Sequence, residues 1–401
     1  MGISKDTLLQ RAFDLDIHIK ENRVKVEYKG KRYFVSEYSL AILDTFATPK
    51  TMEAGINELM QRIKGLPGWI EITSHIIDLY QLGILHTPGQ EEPKIFSDPG
   101  RFDAADVHIR MLNDYRRTDS FQKALFETVT PDDIVVDVGT GTGVLAATAA
   151  LAGAKHVYAI ERTPNMPKLA RKFFEKNGVA DKITIIEGNS TDIELPEKAD
   201  IMVSEIIGND PLAENIIPTT NDALQRLLKP GARLIPGGLK VFALPLTVPE
   251  NIVNKHLFTE EQIKKWKKHY ALDFSNYAET CRRQSYHTLI NTFETHNWPK
   301  LASPVLVADI DLYGFSPEFW ESKHTFEVLQ SGILSGILIF FELKLSKTID
   351  FSIHPDQATP ENSWASKIWI PGSPVQLCEG QKSELVYRYN ENEKSDFEII
   401  S

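Results

Sequence analysis

Two glutamates, Glu205 and Glu214, stand in the stretch SEIIGNDPLAENII (residues 204–217) among apolar and turn-forming neighbours. Gly208 and Pro211 break the segment, so it cannot present one helical face and reads as a loop that returns both carboxylates to one place. Adjacent carboxylates repel unless a cation lies between them, and a guanidinium offers a planar fork of donors that two carboxylates can grip from two sides. Gripped in this way, one nitrogen is fixed in line with an electrophile, a positioning effect worth about 7–11 kcal/mol of a barrier. One carboxylate could then accept the proton released. The competing reading of the same residues makes Glu205 a turn cap and Glu214 a solvated charge.

Upstream, VVDVGTGTGVLAATAA carries a buried strand into a glycine-rich turn and an Ala-rich helix. Gly139, Gly141 and Gly143 let backbone approach a ligand at a helix N-terminus. A nicotinamide fingerprint needs glycine at position 144, where Val144 stands. The next strand ends in Glu161, whose carboxylate can accept hydrogen bonds from both hydroxyls of a ribose, and IIEGNSTDIEL supplies Asp192 for an adenine amino group. This succession of glycine turn, strand-end acid and later acid resembles class I S-adenosylmethionine-dependent methyltransferases. The competing reading is a tight turn with an acid-ended strand and no ligand.

The elements that must position these groups follow from periodicity. Residues 91–235 alternate strands, DIVVDV, HVYAIE, KITIIEG and IMVSEI, with helical segments, which is an α/β pattern with a parallel sheet. SEIIGNDPLAENII follows the fourth strand and so falls at the carboxyl edge of that sheet. From 236 to 401 longer β-rich runs predict an antiparallel domain, interrupted at about 250–285 by a helical arm. There Thr259 and Gln262 form a capping box at the start of TEEQIKKWKKHYALDF. Residues 1–90 form a separate module. RVKVEYKGKRYFV is a hairpin pattern around Lys29-Gly30-Lys31, three helical patterns follow with Thr51 capping the second, and a Pro- and Gly-rich linker spans 87–100.

The 401-residue chain has 42% hydrophobic and 25% charged residues, the balance of a globular protein. Its formal charge of −11 disfavours nucleic acid and suits a basic substrate. Cys281 and Cys378 are too few for a disulfide framework or a thiolate metal site. With no signal-peptide core and no bilayer-length apolar run, a cytoplasmic protein without membrane contact is expected.

The strand-end glutamate, the glycine after it and the second glutamate resemble the double-glutamate loop of protein arginine methyltransferases. HIRMLNDYRRT is similar to that family's N-terminal helix. The resemblance implies S-adenosylmethionine as cofactor. His108 and Met111 would line its site, Arg117 would pair with its methionyl carboxylate, and Asp137, Gly139 and Gly141 would form the glycine turn. Glu161 would hold the ribose, with Thr191 and Asp192 near the adenine. It further implies a Rossmann-like domain followed by a β-barrel, with HYALDF on an arm that makes a homodimer. The chain departs from the family at Phe102, where a tyrosine is expected, at Arg110, where an acid is expected, and at Asn362-Ser363-Trp364, where the family has Thr-His-Trp. Ser363 and Trp364 remain the substrate-side candidates, and Ser363 is a poor proton acceptor.

The first module resembles the PqqD-like winged-helix modules that bind leader peptides of ribosomally made natural products. That likeness implies a peptide substrate whose leader extends an exposed strand edge beside a basic hairpin containing Lys20, Arg23, Lys25, Lys29, Lys31 and Arg32. A DNA-binding winged helix is the competing pattern, but ITSHIIDLYQLGIL has no Lys or Arg. The expected activity is therefore methyl transfer to an arginine of a ribosomal peptide. Free arginine, another peptide nucleophile, and a non-catalytic peptide scaffold stay open as alternatives.

Overall fold

The computed structural model describes residues 4–13, 15–20, 23–28, 31–35, 38–62, 69–88, 104–163, 166–281, 285–314, 319–390 and 396–400. The chain divides into two compact units, Met1–Ala105 and Asp106–Ser401. In the first, strands Asp16–Lys20, Arg23–Tyr28 and Lys31–Val35 form an antiparallel sheet in that order. Val24, Val26 and Tyr28 alternate onto its buried face, as the period of two requires. Helices Ser39–Thr45, Met52–Arg62 and Trp69–Gln81 follow, and strands Leu8–Arg11, Lys50–Thr51 and Leu85–His86, which periodicity did not anticipate, form a second small sheet. The helices' buried Ile42, Leu43, Ile56, Leu59, Ile76 and Leu79 give the unit a core of its own. Thr51 does cap the second helix, its hydroxyl accepting from Ala54 N at 3.2 Å. Periodicity did not anticipate strand Asp16–Lys20; Lys29, Gly30 and the linker beyond residue 88 lie outside the described residues.

Elements of the rest of the chain are numbered from helix α1, Ala105–Asn113, followed by α2, Tyr115–Thr128. Five parallel strands come next: β1 Ile134–Val138, β2 His156–Glu161, β3 Ile183–Glu187, β4 Ala199–Ser204 and β5 Leu228–Ile235. Their order across the sheet is β5-β4-β1-β2-β3. Helices α3 Val144–Leu151, α4 Met166–Lys176 and α5 Ile216–Arg226 connect them. The order reverses between β1 and β4, so the crevice of this doubly wound sheet opens where the loops after those two strands part. Strand β5 was not anticipated because LKPGARLI contains Pro230 and Gly231. It lies at the sheet's edge, where a missing N–H is tolerated.

Strand β6, Gly238–Leu246, begins the antiparallel half. The arm follows as α6 Glu250–His256, α7 Glu260–Tyr270 and α8 Ser275–Cys281. The chain then returns through β7 Ser285–Asn291, β8 Val305–Asp311, β9 Phe319–Glu327, β10 Gly332–Leu334, β11 Gly336–Lys344 and β12 Asp350–Ser352. It closes with β13 Ala365–Pro371, β14 Val375–Leu377, β15 Lys382–Asn390 and β16 Asp396–Ile400. The larger sheet runs β7-β13-β11-β6-β8 with β12 beside β11, and β9-β15-β16 form a second sheet. Trp369 of β13 packs on Phe397 of β16 and donates to Asp396 at 3.1 Å, joining the two sheets of the barrel. Thr259 caps α7 by accepting from Gln262 N, but Gln262 donates its amide to the Asn254 carbonyl, so the expected reciprocal capping box is only half formed. One apolar core runs through both halves of this second unit.

Candidate functional site

The turn after β1 holds Gly139, Gly141 and Gly143 at φ values of +79°, +53° and +90°, a region that excludes most side chains. At position 143 space is excluded as well, because a Cβ would lie 2.5 Å from Phe174 Cε1 of α4. Glu161, at the end of β2, fastens the turn: its carboxylate accepts from Gly141 N at 2.8 Å and from Thr163 N at 2.7 Å. His108 of α1 lies over the turn, its Cε1 3.6 Å from where a Cβ on Gly141 would stand.

Beneath the turn, Asp137 is 1% exposed and accepts from the Thr140 hydroxyl at 2.6 Å. Burial pushes its carboxyl up to about 7, the Thr140 hydroxyl and the Ala146 amide oppose that rise, and the charges of Glu161 and Glu205 add to it. Its Oδ1 is buried with no hydrogen-bond partner among the described residues, an acceptor suited to a cationic or N–H-bearing ligand.

Residues 205–215 form the loop that Gly208 and Pro211 imply. Glu205 sits at its root in a buried ion pair with Arg117, Oε2 to Nη2 at 3.1 Å, both side chains 8% exposed. Burial raises the Glu205 carboxyl and the Arg117 charge opposes the rise. The loop then folds back so that the Asp210 carbonyl lies 2.9 Å and Glu214 Oε1 3.2 Å from where a Cβ on Gly208 would stand; the backbone contact makes glycine necessary there for space. Glu214 is pushed up to about 7, first by burial and then by the Glu205 charge, while Arg162 and Arg117 pull it down. The Glu205 charge therefore acts on Glu214.

The barrel closes the other side. Arg117, on the first turn of α2, lies 5.3 Å from the centre of the Trp364 ring and donates to the Ser363 hydroxyl at 3.3 Å. Asp114 caps α2 through Arg117 N and also accepts from the amide and hydroxyl of Ser363, at 2.8 and 3.1 Å. Ser363 is thus committed to orienting an acid and a guanidinium. Trp364 Nε1 donates to the Ile207 carbonyl at 2.6 Å, Ala365 N to Asn209 at 2.8 Å, and Lys367 to Asp210 at 3.1 Å.

Of the candidate residues, the structure gathers Glu205, Glu214, Arg117, Asp137, Gly139, Gly141, Glu161, His108, Ser363 and Trp364 around the crevice. Met111 is half-buried near the end of α1. Thr191 and Asp192 stand exposed on a short turn after β3, hydrogen-bonded to each other at 3.3 Å. Arg226 pins that turn by donating to the carbonyls of Ser190 and Ile193. Phe102 lies outside the described residues. Sequence reasoning missed Asp114, Arg226, Asn209, Asp210 and Lys367. Only Asp114 carried a local signal, an aspartate directly before a helix.

The family description "Ribosomal protein L11 methyltransferase (PrmA)" matches residues 117–267, the cofactor half and part of the arm. Among similar proteins, "Protein arginine N-methyltransferase 1" of Saccharomyces cerevisiae is 26% identical over 308 residues, covering 74% of this chain and 85% of the yeast protein. "Probable protein arginine N-methyltransferase 6.1" of Oryza sativa is 30% identical over 60% of this chain and 62% of its own length. "Probable histone-arginine methyltransferase 1.4" of Arabidopsis thaliana is 38% identical over 68% of this chain and 52% of its own length. The chain therefore spans most of the yeast relative and only about half to three fifths of the two plant proteins.

Two solved structures share the fold. The Trypanosoma brucei PRMT1 enzyme–prozyme heterotetrameric complex with AdoHcy aligns at a TM-score of 0.62 and 22% identity, covering 71% of this chain and 88% of that one. Arabidopsis thaliana protein arginine methyltransferase 10 aligns at 0.59 and 21%, covering 75% and 97%. Their architecture, a Rossmann-like half followed by a β-barrel, is the one described above.

Proposed function

From the premise that this chain is a class I, S-adenosylmethionine-dependent methyltransferase resembling the protein arginine methyltransferases, we propose that it methylates an arginine side chain. The observation that carries the acceptor is the return of Glu214 against Gly208, within reach of the charges of the Glu205–Arg117 pair. Two carboxylates feeling one another's charge form a cradle for a planar cation.

The residues on the β1 side fit the cofactor. Asp137 Oδ1, buried without a partner among the described residues, suits the ammonium of the methionyl group, and Glu161 retains lone pairs for a ribose. His108 and Met111 would cover the site, Arg117 would face the methionyl carboxylate while holding Glu205, and Thr191 and Asp192 would meet the adenine. When bound, the cofactor supplies an electrophilic methyl group. Glu205, held rigid by Arg117, orients the guanidinium, and Glu214 draws positive charge onto the reacting nitrogen and takes the proton it loses. Ser363, engaged with Asp114 and Arg117, is not needed as a base.

A pH dependence follows. Glu214 must be ionised to grip the cation, so kcat/KM should rise with pH and level off above about 7. A bound guanidinium lowers that carboxyl, so the limb of the kcat profile should lie at lower pH. Equal limbs in the two profiles would remove Glu214 from this role.

The acceptor we infer is a ribosomally made peptide whose leader docks on the first unit. Strand Asp16–Lys20 is paired on one side only among the described residues, and Ile19 on it is 66% exposed, the form of an edge that a peptide strand extends. The arm, with exposed Tyr270 and Tyr277 beside Trp266 and Phe274, would pair a second copy; a monomer in solution scattering contradicts that part. Incubation with S-adenosylmethionine and arginine-bearing peptides, with and without an acidic leader, tests the whole. Fragment masses should place one or more methylene increments on arginine, with the leader required. Increments on another residue overturn the acceptor, and leader-independent turnover overturns the docking role.

A further inference from the structure

The loop that bears Glu205 and Glu214 carries a third carboxylate between them. Asp210 is buried with its side chain 8% exposed, and Lys367, 4% exposed, meets it at 3.1 Å. Lys367 belongs to β13, which lies inside the large sheet with β7 on one side and β11 on the other. Pairing holds this residue in a fixed register, opposite Leu289 and Ile339. It is therefore a rigid post, whereas Asp210 sits on irregular backbone.

We propose that Lys367 is a positioning residue for methyl transfer: through Asp210 it sets the height of the acidic loop, and hence the separation of Glu205 and Glu214 across the acceptor. The inference rests on the reading of those two glutamates as the acceptor's cradle. Three grips from the start of β13 and the residue before it support the proposal, since Trp364, Ala365 and Lys367 bind Ile207, Asn209 and Asp210 in order, like teeth of a zip. The first two grips hold the root of the loop near Glu205. The third reaches the segment that turns back toward Glu214, and it is the grip that carries charge.

A buried ion pair adds little net stability over an apolar pair of the same shape, because desolvation of both ions offsets their attraction. Losing one partner, by contrast, leaves an uncompensated charge. Removing the Lys367 charge would take a buried cation away from Asp210, and the loop would shift to hydrate that carboxylate or pair it anew. An error of about 1 Å at a reacting centre costs on the order of 100-fold in rate. Charge matching at this point fixes geometry more than it fixes the fold.

The test uses the full-length protein saturated with S-adenosylhomocysteine for hydrogen exchange, and with S-adenosylmethionine and an arginine peptide for kinetics. Lys367→Met should lower kcat by about 10- to 100-fold with a smaller change in KM. It should speed amide exchange across residues 206–214 and leave cofactor affinity within about twofold. Lys367→Arg should stay near the parent in both readouts, and Lys367→Met combined with Asp210→Leu should regain loop protection and most of kcat. Unchanged exchange in the loop of Lys367→Met overturns the proposal, as does a loss spread over the whole barrel and cofactor binding. If the parent protein methylates no arginine peptide, the proposed acceptor fails while the exchange arm still decides the role of Lys367.

Discussion

Glu214→Gln is expected to lower kcat by about 10²- to 10³-fold, the loss seen when one preorganised electrostatic group is removed from a reacting centre, while S-adenosylhomocysteine still binds. Glu205→Gln should lose as much activity and also stability, because it leaves Arg117 buried beside a neutral amide. The two substitutions separate further in pH. A carboxyl raised to about 7 in the folded chain and near 4.5 in the unfolded one holds its proton more tightly when folded. Its contribution to stability is thus present below the unfolded value and is lost as pH rises through about 7. Ligand-free melts across that window should fall for the parent protein and fall less for Glu214→Gln, since an amide does not titrate. Full turnover by both variants would mean that the pair does not hold the acceptor.

Gly143→Ala is expected to cost about 2–5 kcal/mol, combining a left-handed backbone that side chains resist with a clash inside a packed core. Its φ is +90° and the new Cβ would meet the Phe174 ring at 2.5 Å. Gly153 is the internal control: its φ is +105°, but nothing lies within 4 Å of a Cβ there. Gly153→Ala should therefore show the conformational cost alone, about 1–2 kcal/mol. The difference between the two in denaturant unfolding measures the clash, and Phe174→Leu in the Gly143→Ala background should recover part of it. Cofactor affinity should fall for Gly143→Ala and hold for Gly153→Ala. Equal destabilisation of the two would show that α4 yields and that position 143 needs only the backbone angle.

Strand ends made this architecture legible. Buried runs such as IVVDV and the alternation of strand and helix predict a parallel sheet, and the rule for its carboxyl edge puts Gly139, Glu161 and Glu205 at one crevice, which is where they stand. Gly208 and Pro211 announced the loop, whereas Asp114, an aspartate directly before a helix, was a local signal left unread. Strand β5 was hidden by Pro230 and Gly231, whose turn chemistry is tolerated only because the strand is an edge. The half-made capping box shows the same limit on a smaller scale: Thr259 acts locally, while Gln262 answers to Asn254, a partner outside the motif. Ser363 on Asp114, Lys367 on Asp210 and Arg226 on the turn after β3 depend on which segments the tertiary fold brings together. No spacing rule reaches that far.

The Asp114–Ser363 contact spans 249 positions of sequence. On a ribosome, where a chain emerges N-terminal end first at about 5–20 residues per second, α2 and the five-stranded sheet are made well before the strand that fastens the acidic loop. A nascent chain can therefore hold a complete glycine turn before the contacts that fasten the loop of residues 205–215 have formed. A chain interrupted before Ser363 would lack Trp364, Ala365 and Lys367, and with them the barrel's hold on that loop.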